Sequence, residues 1–131
     1  MVISQALVDE IVAHARDGFP NEVCGLVATE GGQAIRVYPI DSLDPSPVQY
    51  HMDPKQQLRA ITEIDDNEWE MGGIYHSHTR TRAYPSATDV KLAFYPSSLY
   101  MIVSLADESN PELRAFRIED AQIEEVSLDV V

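Results

Sequence analysis

Residues Leu99 to Leu105 form an almost unbroken apolar run, Leu-Tyr-Met-Ile-Val-Ser-Leu. Such a run reads as an inner strand covered on both faces, because a strand with one wet face alternates apolar and polar side chains. A chain holding this strand needs a layer of structure on each side of its sheet, and the remaining periodicity supplies the layers. Ile3, Leu7, Ile11 and Ala15 recur every four residues and mark the apolar face of an opening helix, capped by Ser4 and ended by Gly18 and Pro20. Val23 to Thr29 and Ala34 to Ile40 read as strands joined by the Glu30-Gly31-Gly32 turn. Asp41 to Pro47 has loop composition, and Val48 to Met52 is a short extended piece. A second helix starts at Asp53-Pro54, where a missing N–H costs nothing, with Leu58, Ile61 and Ile64 as its expected buried side. Met71 to His76 is expected as a short strand and Ser77 to Pro85 as a polar loop. Ser86 opens a third helix expected to continue through Leu92 and Phe94. Leu113 to Ile118 alternates as a strand with one wet face, and the tail from Ala121 adds an edge strand. Strands interleaved with three helices predict an α/β fold, a three-layer α/β/α sandwich around a mixed sheet.

At 131 residues and 44% hydrophobic content the chain is expected to form a single domain, 1–131, with one sizeable core. Cys24 is the sole cysteine, so no internal disulfide forms. A formal net charge of -13 repels phosphate backbones and anionic lipid, which disfavours nucleic acid and membrane surfaces as partners. No apolar run approaches the 18 or so residues of a membrane span. The first residues lack the basic and apolar regions of a signal peptide, so the expected location is cytoplasmic. The sequence is compatible with a homodimer without specifying one.

The chemistry concentrates between His76 and Asp89. Histidines at i and i+2 on an extended segment point to the same side of a sheet. They can place two imidazole nitrogens on one ion at about 2.0–2.1 Å. A loop then returns the chain so that Asp89, in the first turn of a helix, offers a carboxylate. Two nitrogens and one oxygen leave a fourth tetrahedral position open, which suits a catalytic zinc rather than a structural one. Each part also has a bland reading: a lone histidine is usually structural, and Ser86 with Asp89 makes a capping box. The combined spacing H-x-H-x7-S-x2-D is rarer, arising on the order of once in a thousand shuffled chains of this composition.

That spacing, preceded at a distance by Pro20-x-Glu22-x-Cys24-Gly25-Leu26, resembles the signature of the JAMM (MPN+) metalloproteases: a distal Glu, then H-x-H-P-x6-S-x2-D. The resemblance covers essentially the whole chain, with one departure. Thr79 stands where proline is usual, a position that shapes the loop and does not ligate metal. The resemblance implies a JAMM/MPN fold of the cytidine-deaminase-like kind, with Zn²⁺ held by His76, His78 and Asp89. It implies that Glu22 deprotonates the water and passes the proton to the leaving amine, and that Ser86 hydrogen-bonds the oxyanion.

It also implies a substrate class. Members cleave after the C-terminal Gly-Gly of ubiquitin or its relatives. This compact chain is similar to the bacterial Mec type, which removes an amino acid, characteristically cysteine, from a ubiquitin-like sulfur-carrier protein. Arg80 and Arg82 lie between the second histidine and Ser86 in an otherwise acidic chain, and are candidate grips for a substrate carboxylate. A general isopeptidase of ubiquitin-like conjugates would use the same site. A catalytically silent MPN scaffold would lack ligands that this chain keeps. A zinc deaminase would need H-x-E and a P-C-x-x-C pair, which one cysteine cannot supply. A DNA-associated JAMM protein conflicts with the charge. Cys24, His14 and His51 read as structural, and Asp65 to Glu70 as a solvated acidic turn.

Overall fold

The computed structural model describes residues 1–131. Along the chain it runs β1 (Val2–Ile3), α1 (Gln5–Gly18), β2 (Cys24–Glu30), β3 (Gln33–Ile40), α2 (Pro54–Asp66) and β4 (Glu70–His78). It continues with α3 (Ala87–Lys91), β5 (Leu99–Ser104), β6 (Glu112–Glu119), β7 (Gln122–Val126) and β8 (Asp129–Val130). All eight strands share one mixed sheet in the order β7-β6-β5-β4-β2-β3-β1-β8.

Strand β5 is buried along its whole length, between parallel β4 and antiparallel β6. Its alternate side chains feed two separate cores, as the apolar run requires. Leu99, Met101 and Val103 join Val27, Tyr75, Ile11 and Ala15 under α1. Tyr100 and Ile102 join Cys24, Leu26, Ile74 and Phe116 on the other face, with Ala60 of α2. The expected α/β/α layering of a mixed sheet is what the chain forms. Because Ile102 is fully buried among these residues, Ile102→Ala is expected to cost about 2–5 kcal/mol. A lower urea midpoint with an unchanged slope would show it.

Several local expectations are corrected. Ile3 is buried, but in β1 and not on α1; it helps pair β1 with β8 at the sheet edge, a main-chain interaction without sequence periodicity. Leu58 is 65% exposed, whereas Ala60 and Ile64 are buried. Those two are four apart on one helical face, and Leu58 stands about 200° round the axis from Ala60. Ser77 and His78 extend β4 and are not loop, because pairing with β5 continues to His78 and Ser104. Helix α3 stops at Lys91, leaving Leu92 and Phe94 exposed.

Two features of the sheet create a place for a ligand. Parallel β4 and β5 require a crossover, and residues 79–98 supply it with a loop and α3. Antiparallel β2 begins beside the end of β4, so that end, the approach to β2 and the crossover all meet at one end of the central strands. In open α/β sheets such a point, outside the carboxyl end of a strand, is where ligands bind. On the α1 face, Tyr75 lies directly against Gly25, and a Cβ at Gly25 would fall inside the Tyr75 ring. The Tyr75 hydroxyl meets His14 Nδ1 of α1 at 2.7 Å.

Candidate metal centre

His76 and His78 sit two apart on β4, so both imidazoles project to the α2 face, as Ile74 does. The register sets Cys24 opposite His76, which brings Glu22, two residues earlier, to the level of His78. Ser77 faces the other way and clamps this approach. Its Oγ accepts from Val23 N at 2.9 Å, and its own N donates to Val23 O at 3.0 Å. Glu22 N in turn donates to Ser46 O at 2.8 Å, so the segment carrying Glu22 is held from both sides. Asp89 arrives as the N3 residue of α3. Ser86 Oγ accepts from Asp89 N at 3.1 Å while Asp89 Oδ2 accepts from Ser86 N at 2.9 Å, a complete capping box.

The three candidate ligands converge. His76 Nε2 and His78 Nε2 are 3.2 Å apart, His76 Nε2 is 3.1 Å from Asp89 Oδ1, and His78 Nε2 is 3.0 Å from Asp89 Oδ2. A tetrahedral ion with ligands at about 2.0–2.1 Å has ligand–ligand edges of roughly 3.3 Å, close to each of these contacts. The two histidines meet different Asp89 oxygens, and one ligand atom from each residue keeps the three within 4.8 Å of one another. The hydrogen bonding supports the same fit. His78 Nδ1 lies 2.9 Å from the Arg82 carbonyl and can only donate to it, so neutral His78 presents a bare Nε2 lone pair to the Asp89 carboxylate. Acceptors that close, in a buried site, are satisfied together only by a proton or a metal ion. Without metal the proton leaves its mark. Burial works against ionisation of Asp89, but hydrogen bonds from His76 and His78 more than offset it and hold the carboxyl well below the usual range. Burial likewise pulls His78 down, and Asp89 with the Arg82 carbonyl raises it above the ordinary imidazole value.

Glu22 lines a cleft of about 380 Å³ together with His78, Ser86, Thr79, Arg80 and Val48. It is 7% exposed, and burial pushes its carboxyl up to about 7, with His78 pulling it down and Asp89 pushing it up. A carboxylate whose affinity for protons lies near neutrality is suited to taking a proton and giving it back. The other residues singled out from sequence divide clearly. Arg80 lines the cleft, whereas the Arg82 guanidinium lies 4.8 Å over the Tyr84 ring and contributes its carbonyl to His78. Cys24 is fully buried, its Sγ donating to Ile40 O at 3.4 Å, and burial pushes the thiol up to about 12. His51 is exposed. His14 bonds Tyr75 on the opposite face of the sheet.

Sequence reasoning passed over the loop between β3 and α2. It delivers Ser46 O to Glu22, Pro47 and Val48 to the cleft, and the Tyr50 ring onto His76. Its composition signalled a loop followed by a short extended piece, Val48 to Met52, which forms no strand beyond the bridge of Met52 to Ser42, and no spacing within it points to the site.

The sequence family described as prokaryotic homologs of the JAB domain matches residues 4–119. The chain is 41% identical over 133 residues to the CysO-cysteine peptidase of Mycobacterium tuberculosis, covering 100% of this chain and 91% of that protein. It is 33% identical over 103 residues to a desampylase of Haloferax volcanii, covering 73% of this chain and 74% of that protein. Among solved structures, a protein of Desulfitobacterium hafniense determined in solution superimposes with a TM-score of 0.88 at 40% identity, covering 100% of this chain and 93% of its own.

Proposed function

The chain belongs to the prokaryotic JAB-domain (JAMM-type) metalloprotease family, and from that premise we propose a zinc-dependent peptidase that trims the C-terminus of a ubiquitin-like sulfur-carrier protein. The observation carrying this reading is the group of His76, His78 and Asp89, whose member His78 lines the same cleft as Glu22. When bound, zinc supplies a Lewis acid and lowers the pKa of water toward about 7. Glu22 takes the proton of the attacking water on its carboxylate and returns it to the leaving nitrogen. Ser86 Oγ accepts from Asp89 N, which leaves its own hydroxyl proton free to donate to the oxyanion. Main-chain clamps on Val23 and Glu22 hold the base in place without side-chain rearrangement.

The released group is read as cysteine, on the full-length similarity to a CysO-cysteine peptidase. A single amino acid leaving from a C-terminus carries a free carboxylate, and the presence of Arg80 in the cleft lining supports reading it as the cation that receives this group. A charge-assisted bond of about 1.5–3 kcal/mol corresponds to a KM rise of roughly 10–100-fold on Arg80→Ala. That rise is expected for a carrier ending in free cysteine and should be much smaller for its amide. Equal effects on acid and amide would refute the Arg80 assignment.

The similarity to a desampylase favours a second reading, cleavage of lysine-linked conjugates by the same site. Mass spectrometry separates the two. A carrier extended by cysteine is expected to lose one residue, with the loss blocked by chelation and by Glu22→Gln. Preference for a lysine-linked protein over the cysteine-extended carrier would establish the second reading.

A further inference from the structure

We propose that Tyr50 is a positioning residue of the metal centre, its ring holding the His76 imidazole in the orientation that aims Nε2 at the ligand triangle. The inference rests on the metal-binding reading and addresses what orients each ligand. His78 is fixed by its Nδ1 bond to the Arg82 carbonyl, and Asp89 by the Ser86 main-chain N–H. His76 has no such tether. Its ring is 1% exposed, yet Nδ1 has no hydrogen-bond partner. A ligating imidazole ordinarily donates its second N–H to an acceptor, which fixes both tautomer and ring rotation.

What His76 has is a stack. The Tyr50 ring lies with its centroid 4.8 Å from that of His76 and 28° from parallel, while His78 meets His76 edge-on at 5.0 Å. Rotation of the His76 ring about its side-chain bond would drive it into the Tyr50 face. The stack therefore restricts the motion that a hydrogen bond would otherwise restrict.

Tyr50 can serve because its loop is closed and tied down. Leu43 N donates to His51 O at 2.7 Å and Asp53 N to Asp41 O at 2.9 Å, so the loop is stitched across its base. Ser46 O accepts from Glu22 N, and Pro47 O accepts from Thr79 Oγ1 at 3.4 Å. Thr79, where proline is usual in the JAMM signature, thus gives the loop a contact that proline could not. Tyr50 and Met52 pack against the core shared by Ile74, Ile102 and Ala60. One loop therefore touches the base-bearing segment, a metal ligand and the residue following the second histidine.

The test is zinc affinity of the full chain, measured by competition with a chromophoric chelator, together with imidazole nitrogen NMR of the metal-free protein. Tyr50→Leu keeps an apolar side chain in the core but removes the flat wall, and is expected to weaken zinc binding at least tenfold. Tyr50→Phe keeps the wall and is expected to restore wild-type affinity. In the metal-free protein, His76 should show one tautomer in wild type and Tyr50→Phe, and exchange-averaged signals in Tyr50→Leu. Wild-type affinity in Tyr50→Leu would overturn the inference. So would equal weakening in Tyr50→Phe, which would put the function on the hydroxyl. Wild-type protein that takes up no zinc at all would overturn the metal reading itself, a distinguishable result.

Discussion

Glu22→Gln is expected to lower turnover by about 10²–10⁴-fold, the usual contribution of a positioned acid–base group, while leaving zinc content unchanged. The same substitution should make the metal-free protein more stable above neutral pH. Glu22 is buried, no group in the protein donates a hydrogen bond to its carboxylate, and its pKa stands at about 7 against an ordinary 4.5. The folded chain therefore binds this proton more tightly than the unfolded chain does. Its contribution to stability is most favourable below the unfolded value and is lost as pH rises from 4.5 toward 7. The shift corresponds to roughly 3 kcal/mol at its upper bound, so a gain of about 1–3 kcal/mol is expected for Glu22→Gln at pH 8. Urea midpoints of both chains at pH 4 and pH 8, without metal, check it. A wild type as stable as the variant at pH 8 would show that the carboxylate is better solvated than its burial implies.

Asp89→Ala is expected to be the most damaging single change to the metal centre. It removes one of the three proposed ligands and the acceptor of the Ser86 N–H, and leaves two Nε2 atoms 3.2 Å apart with no carboxylate beside them. The loss of zinc affinity should exceed the 10–100-fold that outer-shell partners cost, and hydrolysis should fall to background. Loss of the cap adds about 0.5–2 kcal/mol of destabilisation. Asp89→Asn separates the two contributions, since its amide oxygen can still accept from Ser86 N while its charge is gone. Metal content per chain after dialysis is the readout; an Asp89→Ala protein that retains a full complement would remove Asp89 from the ligand set. Titration of the metal-free variant gives a second check. Burial lowers His78, and Asp89, with smaller help from the Arg82 carbonyl and Glu22, raises it, so the His78 pKa should drop in Asp89→Ala.

Legibility in the sequence depends on a period or a fixed spacing. The run from Leu99 to Leu105 gave a strand with two buried faces, and the four-residue recurrence of Leu7, Ile11 and Ala15 gave the helix that covers one of them. His76, His78, Ser86 and Asp89 could be found because a strand end, a short loop and a helix N-terminus keep their distances within 14 residues of chain. Glu22 could not be placed by spacing. Its position beside His78 depends on the register of Cys24 against His76, which no local pattern encodes, and it entered through the family signature.

Tyr50 left no trace in the sequence. It reaches His76 through a loop whose shape is set by main-chain bonds, and main-chain bonds are indifferent to side-chain identity. The same indifference hid the pairing of β1 with β8. Arg80 and Arg82 looked equivalent because both lie in one polar segment, and they differ in the fold because Tyr84 offers the second a ring to lie on.

Gly25 has no contact with the cleft, yet it follows Glu22 by three positions and belongs to the same stretch of signature. Any side chain there would displace the Tyr75 ring, and with it the hydroxyl that meets His14 on α1. Tyr75 adjoins His76 in β4, so that displacement would be passed to the first histidine through a single peptide unit. A mutational scan scored by hydrolysis alone would then rank Gly25 among the reacting residues. Parallel scoring by melting temperature would return it to the steric class, and would separate Glu22, in the cleft on one side of the sheet, from Gly25, which makes room for Tyr75 on the other.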